Sequence, residues 1–381
     1  MHTTPQLAPP ESPAERLPSE WAELLASWGE PRYRALQVFR WIHQRGVADP
    51  SQMSDLPKAL RARLAEAGLR PALKLDRELT SQDGTRKLLL ELGDQRRIES
   101  VLIPRGAVAA EDVYAPSGDE DEVEQIDDSA LFSQCISSQV GCAMGCAFCA
   151  SGIAGLKRNL SAAEIIAQVW LGRQQLAGAG RLCGVVLMGM GEPLHNYDAV
   201  ARALALLSEP EGIGMSLRRV TLSTSGLVDG IARLGRDFGG QVGLAVSVHA
   251  ADDETRTELM PVNKRHGLDE LFAALRAYPL PPRRALTIEY TLIDGVNDSV
   301  SDARALVSRL RGLRAKVNLI PMNPVTGSSL RAPPPQTVDA FQAELSSNGL
   351  SVFVRRRRGD DIAAACGQLA LHGEPRKIRR P

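Results

Sequence analysis

The chain has no run of apolar residues long enough to cross a bilayer. Its first ten residues, Met-His-Thr-Thr-Pro-Gln-Leu-Ala-Pro-Pro, lack the apolar core that opens a secretory signal. Six cysteines in 381 residues, three of them in one short stretch, argue against the disulfide framework of a small secreted protein. No histidine pair stands at ligand spacing, and there is no second Cys-x-x-Cys, so the ingredients of a four-ligand zinc site are missing. No tandem repeat of fixed period is present. A reducing cytoplasm, with no membrane attachment, is the expected setting. The length suits one large domain and a smaller one.

Net charge is also absent, with 45 Lys+Arg against 45 Asp+Glu. The charges are nevertheless segregated. Residues 31–105 hold 15 Lys/Arg and 9 Asp/Glu, and residues 355–381 hold 8 and 3. Residues 106–134 hold 9 Asp/Glu and no Lys/Arg. Basic patches attract phosphate locally whatever distant charges do, so a zero total does not exclude a nucleic acid. A solvated surface is the plain alternative for any one of these runs.

The patterning divides the chain. Residues 1–18 are Pro-rich and polar and are expected to be a disordered tail. Residues 19–70 read as a helical accessory domain, with Leu36, Phe39 and Ile42 at helical spacing and Leu60, Leu64 and Leu69 after them. Residues 71–105 alternate as strands, forming a β extension around the turn Gln82-Asp83-Gly84. Residues 106–130 read as an acidic flexible insert. From 131 to 354 strands and helices alternate. Strands are expected at Cys135–Val140, Gly184–Met188, Val220–Ser223, Val242–Val248, Leu286–Leu292 and Lys316–Ile320. Helices are expected from Ser161, with Glu164 completing a capping box, and over 267–277 and 301–310. Six such units imply an α/β fold with a parallel sheet, a partial (β/α)6 TIM-like barrel. Residues 355–381 form a C-terminal segment with a basic tail.

The chemistry-bearing run is Cys142-Ala-Met-Gly-Cys146-Ala-Phe-Cys149. It supplies three soft thiolates and no evident fourth. Iron–sulfur clusters are held by cysteine thiolates, commonly four. Three protein ligands leave one iron open, as in catalytic metal sites. Zinc or inert thiols are the competing readings. The spacing resembles the signature of the radical SAM superfamily, in which the open iron binds S-adenosylmethionine. Gly189-Met190-Gly191-Glu192-Pro193 follows an apolar strand, where glycine admits close backbone approach and a carboxylate can take an ammonium. Ser223 with Ser225, Ser247-Val248-His249 and Asn323 fall at the ends of successive strands, as at a barrel mouth. Each could alone be a cap or turn residue.

Cys135-Ile-Ser-Ser-Gln-Val-Gly-Cys142, Leu319-Ile-Pro-Met-Asn-Pro324 and Gly359-Asp-Asp-Ile-Ala-Ala-Ala-Cys-Gly-Gln368 make the resemblance specific. With the Gly189–Pro193 run they resemble the RlmN/Cfr family of RNA adenine methyltransferases, over roughly residues 20–372. The resemblance implies a radical SAM core barrel, a [4Fe-4S] cluster on Cys142, Cys146 and Cys149, and two S-adenosylmethionine molecules per turnover. It implies cofactor contacts by Gly191, Glu192, Ser223, Ser247, Val248, His249 and Asn323. It makes Cys366 the cysteine methylated on sulfur, Cys135 the cysteine that resolves the protein–RNA adduct, and Glu99 the proton acceptor. The implied product is 2-methyladenine in 23S rRNA and beside the anticodon in tRNA. The implied electron donor is of the flavodoxin/flavodoxin reductase kind, and a monomer is expected. Carbon-8 methylation uses the same cysteines and remains the alternative. A non-catalytic RNA-binding iron–sulfur protein is the other, and it would need neither Cys135 nor Cys366. The acidic stretch after Pro104 is longer than the link found there in typical members. Cys183 is read as a core residue, and His195, His266 and His372 are given no role.

Overall fold

The computed structural model describes residues 5, 7–105 and 131–369. The acidic insert over 106–130 and the basic end of the tail lie outside the described residues.

Three helices open the fold: α1 (Pro18–Ser27), α2 (Tyr33–His43) and α3 (Lys58–Glu66). Proline at the first turn of α1 costs no hydrogen bond, and the Glu20 carboxylate accepts the Leu17 N–H at 2.8 Å. On α2 the buried stripe is Ala35, Val38, Phe39 and Ile42, with Leu36 at its half-buried margin.

Residues 7–17 are not the free tail that composition suggests. Glu15 is buried, and its carboxylate accepts the Glu11 N–H at 2.7 Å and the Ala163 N–H at 3.1 Å, at the start of a barrel helix. Buried Arg202, also on the barrel, donates to the Ala8 carbonyl at 2.9 Å and the Glu15 carbonyl at 3.0 Å, and pairs with Glu20 at 2.9 Å. Partners contributed from far along the chain override the polar composition.

Strands β1 (Leu73–Thr80), β2 (Arg86–Leu92) and β3 (Arg97–Arg105) form an antiparallel meander. Strand β4 (Leu131–Cys135) pairs antiparallel with β3, so the meander continues the barrel sheet. A two-stranded pair, β5 (Gln139–Val140) and β6 (Arg158–Asn159), flanks a short helix α4 (Ala150–Ala154). The alternating units follow: α5 (Ala162–Gln175), β7 (Arg181–Leu187), α6 (Tyr197–Ser208), β8 (Val220–Thr224), α7 (Val228–Phe238), β9 (Gly243–Ser247), α8 (Asp253–Leu259) and α9 (Leu268–Ala277). Then come β10 (Leu286–Leu292), α10 (Val300–Leu310), β11 (Ala315–Pro321), α11 (Pro335–Ser347) and β12 (Ser351–Val354). The capping box at Ser161 and Glu164 is present in both directions.

The sheet order is β1-β2-β3-β4-β7-β8-β9-β10-β11-β12, parallel from β4 onward. This is the expected partial barrel, extended at its far edge by β12. The first barrel strand lies four residues earlier than the pattern placed it, because the chain leaves the sheet after Cys135. The Ile136 N–H still reaches the Val186 carbonyl at 2.9 Å, but Gln139 and Val140 pair with β6. Cys135 therefore ends a strand at the barrel mouth. Among the described residues no helix is long and apolar enough to cross a membrane.

Candidate active site

Cys142, Cys146 and Cys149 lie on the loop between β5 and α4. Gly141, at φ +76°, lets that loop close: a Cβ there would stand 1.9 Å from the Gly155 carbonyl oxygen. The Ala147 N–H donates to the Leu259 carbonyl at 3.0 Å, and Cys146 packs with Leu259 and Met260, so α8 is the seat of the loop. Burial pushes the Cys142 thiol up to about 12 and raises Cys146 and Cys149 as well; Cys149 adds to the rise at Cys142 and Cys146, and Cys366 to that at Cys149. The Cys149 N–H donates to the Cys146 carbonyl at 3.2 Å, so the loop turns these two residues together. Thiolates are the ligating form, so metal binding there releases protons.

Among the described residues no three such side chains converge on a single metal ion. A four-iron cluster does not require that, because each of its thiolates binds a different iron. Three thiols and no fourth donor on one loop suit such a cluster, and the surroundings suit its cofactor. Glu192 is a buried carboxylate near Cys142 and Cys146 with no cation paired to it among the described residues. Burial raises its proton affinity. Its oxygens accept the Ser225 N–H at 2.7 Å and the Leu194 N–H at 3.0 Å, which leaves capacity for an ammonium. Gly191, at φ +107°, brings this turn against Gln139, where a Cβ would stand 2.6 Å away. Asn323 donates to the Cys366 carbonyl at 3.0 Å, while its own buried oxygen has no partner among the described residues. Ser223 and Ser247 are half-buried at the ends of β8 and β9, with Val248 buried beyond them. His249 holds φ +56°, accepts the Thr291 N–H at 2.8 Å on Nδ1, and meets Phe148 edge-on at 4.6 Å. Burial, helped by Arg256, lowers its pKa to about 3, so it stays neutral.

Arg256 went unnoticed in the sequence. It is fully buried on α8 and donates to the carbonyls of Ser225 (2.8 Å), Ser247 (3.1 Å) and Val248 (3.1 Å) and to Asn263 Oδ1 (2.6 Å). One guanidinium thus fixes the ends of two strands that carry cofactor candidates. Burial draws its own pKa down to about 10.

The opposite side of the mouth is assembled from distant segments. Cys135 and Cys366 line one cleft with Val101, Met188 and Cys149. Cys135 is buried, and its thiol is pushed up to about 12, by burial first and then by Cys366. Cys366 is exposed, on a segment stitched to the cluster loop: the Ala150 N–H donates to the Gly367 carbonyl at 2.8 Å, and Ser151 to the Leu369 carbonyl at 2.6 Å. Glu99 lies on the same face of β3 as Val101, 3% exposed, with its carboxylate 3.1 Å from the Lys87 ammonium. Arg355, Arg356, Arg357 and Arg358 line the adjoining cleft beside Cys366. Arg357 donates to the Met322 carbonyl at 3.1 Å and Arg358 to that of Pro104 at 2.7 Å. Cys183 is half-buried away from this mouth, and its thiol donates to the Phe132 carbonyl.

A partial barrel with a three-cysteine loop and strand-end polar groups around its mouth defines a radical SAM enzyme. The Radical SAM superfamily profile matches residues 136–307, and that of the ribosomal RNA large subunit methyltransferase N-terminal domain matches 18–68. The dual-specificity RNA methyltransferase RlmN of Sorangium cellulosum is 57% identical, covering 97% of this chain and 98% of that protein. RlmN of Syntrophobacter fumaroxidans is 46% identical over 92% and 94%. The crystal structure of a radical SAM methyltransferase from Sphaerobacter thermophilus is 42% identical, with TM-score 0.84 over 95% of this chain and 100% of that one. The chain belongs to the RlmN family of radical SAM RNA methyltransferases, and its cofactors are a [4Fe-4S] cluster and S-adenosylmethionine.

Proposed function

We propose that the protein adds a methyl group to carbon 2 of an adenine in 23S rRNA, and of the adenine 3′ to the anticodon in tRNA. It would act in the cytoplasm as a monomer supplied with electrons by a flavodoxin-type donor. The observation that carries this reading is the meeting of Cys135 and Cys366 in one cleft beside the cluster loop. Binding RNA needs neither thiol, whereas methylating a non-nucleophilic carbon needs both.

Cys142, Cys146 and Cys149 would hold the cluster, and Glu192 would take the cofactor's ammonium. Gly191, Ser223, Ser247, Val248, His249 and Asn323 would line the rest of the cofactor. When bound, cluster and cofactor supply one-electron chemistry that removes hydrogen from a methyl group. Cys366 is the nucleophile that adenine carbon 2 cannot be: its thiolate takes the methyl group as the donor's carbon–sulfur bond breaks. After hydrogen removal, that carbon joins adenine and tethers Cys366 to the RNA, and the adduct must then give up one electron, which the cluster would accept. Glu99 receives the proton from carbon 2. Cys135, as its thiolate, then attacks the Cys366 sulfur: a disulfide forms as the carbon–sulfur bond breaks, and the carbon keeps that bond's electron pair and takes a proton to become the methyl group on the base. Arg355–Arg358 present cations at the cleft entrance, where RNA phosphates can be held while the base enters.

Mass spectrometry of nucleosides from RNA treated with the reconstituted enzyme tests this reading. The expected product is 2-methyladenosine. A product methylated at carbon 8 would replace it with the alternative reaction on the same cysteines, and cofactor cleavage with no methylated base would overturn both.

A further inference from the structure

The segment bearing Cys366 is gripped by the β1–β2 hairpin. Ser81 Oγ donates to Asp361 Oδ1 at 2.6 Å, and the Gly359 N–H donates to Asp83 Oδ2 at 3.0 Å. From β2 the Lys87 ammonium donates to the Ala363 carbonyl at 3.2 Å. The same ammonium stands 3.1 Å from Glu99 Oε1. Lys87 is only 8% exposed, and lysine is seldom buried unless paired. Burying an ion pair recovers little net stability, because both charges are desolvated. A well-packed apolar pair would serve the fold as well. Ala363 sits at φ +50°, a left-handed conformation that a non-glycine residue keeps only when its surroundings over-determine it. Lys87 is one of those surroundings, and Ala363 stands three positions before Cys366.

We propose that Lys87 is a positioning residue that ties the proton acceptor Glu99 to the segment carrying Cys366. Carboxylate and sulfur-tethered adenine are thereby held in one fixed relation. The inference rests on the assignment of Glu99 made above. In the step concerned, the carbon 2–hydrogen bond of the tethered adenine breaks heterolytically. Its electron pair stays with the ring, and the proton goes to the Glu99 carboxylate.

The test uses full-length reconstituted protein carrying Lys87→Met, Glu99→Gln or both, with an unmodified 23S rRNA transcript. Three quantities are measured: S-methylation of the Cys366 peptide, protein–RNA adduct surviving denaturation, and methylated RNA released. Lys87→Met should methylate Cys366 as the parent does, accumulate adduct, and release product at least tenfold more slowly. The double variant should release product no more slowly than Glu99→Gln, since residues acting through one another are not additive. A lysine that merely supports the fold would depress methylation and adduct along with release, and would slow the double variant further. Either result overturns the proposal. So does normal release by Lys87→Met when Glu99→Gln is blocked. Normal release by Glu99→Gln overturns instead the Glu99 assignment beneath it. If Lys87→Met does not fold because it strands a buried carboxylate, the comparison of Glu99→Gln with the double variant strands none and decides alone.

Discussion

On one side of the barrel mouth, Cys142, Cys146 and Cys149 come from a single loop between β5 and α4. On the other side, Cys135 ends β4, Glu99 lies on β3, and Cys366 sits on the C-terminal segment held by the β1–β2 hairpin. The first side is local in the sequence and needs α8 chiefly as a seat. The second exists only after the ten-stranded sheet has formed, because β3 must pair with β4 and β2 with β3. Damage to the first side should abolish the chemistry at once. Damage to the second should stop it at intermediate stages.

The largest effect expected is from replacing Cys142, Cys146 or Cys149 with Ala. Iron content measured after anaerobic reconstitution should collapse, and cofactor cleavage with it. Stoichiometric zinc without iron in the parent protein would break the comparison at its root.

Arg256→Met comes next. It leaves the carbonyls of Ser225, Ser247 and Val248 without their buried donor. The expected loss is about 3 kcal/mol of stability, the scale for stranding buried polar groups that had bonded a charge. Urea melts would show it, and a shift below half a kilocalorie would show that the strand ends hold themselves.

Acid should weaken the seam between the N-terminal helices and the barrel, away from both sides of the mouth. His43, at the end of α2, stacked on Phe39 and edge-on to Trp170 of α5, is held neutral by burial, its pKa drawn from 6.5 to about 3. Between those values the unfolded chain binds the proton and the folded chain does not. The His43 contribution is therefore complete above pH 6.5 and declines as pH falls toward 3. At pH 5 the loss is about 2 kcal/mol. Melts of His43→Phe at pH 5 and pH 7.5 should show that much less acid sensitivity than the parent. Equal sensitivity would refute the buried neutral histidine.

The smallest effect expected is from Asp361→Ala, which removes the Ser81 contact at 2.6 Å and the Gln82 N–H contact at 3.3 Å. About 1 kcal/mol of local stability should go, by the usual worth of such bonds. Iron content should be unchanged and turnover several-fold lower. A parallel fall in iron would mean that the two sides are not separable.

The same contrast explains what could be read in advance. Spacing alone marked the cluster loop, because its ligands are neighbours in the chain, and strand–helix alternation marked the barrel. Cys135, Glu99 and Cys366 were reachable only through family resemblance, since no local pattern joins β3, β4 and the C-terminal segment. Lys87 reads as a solvent-facing position before Leu88, and Arg256 as one more charge in a polar helix start. Each is explained only by partners that folding delivers. Glu15 and Arg202 show the same limit, with polar residues in a Pro-rich stretch anchored to helices α5 and α6.

The most direct test of the account is Cys135→Ala, reconstituted with cluster and cofactor and given unmodified 23S rRNA. If Cys366 carries the methyl group and Cys135 resolves the tether, the variant should become methylated, join the RNA and stop. A denaturation-resistant adduct should map to Cys366 by peptide mass spectrometry, and Cys366→Ala should form none. Normal turnover by Cys135→Ala, or an adduct on any other residue, would contradict the account.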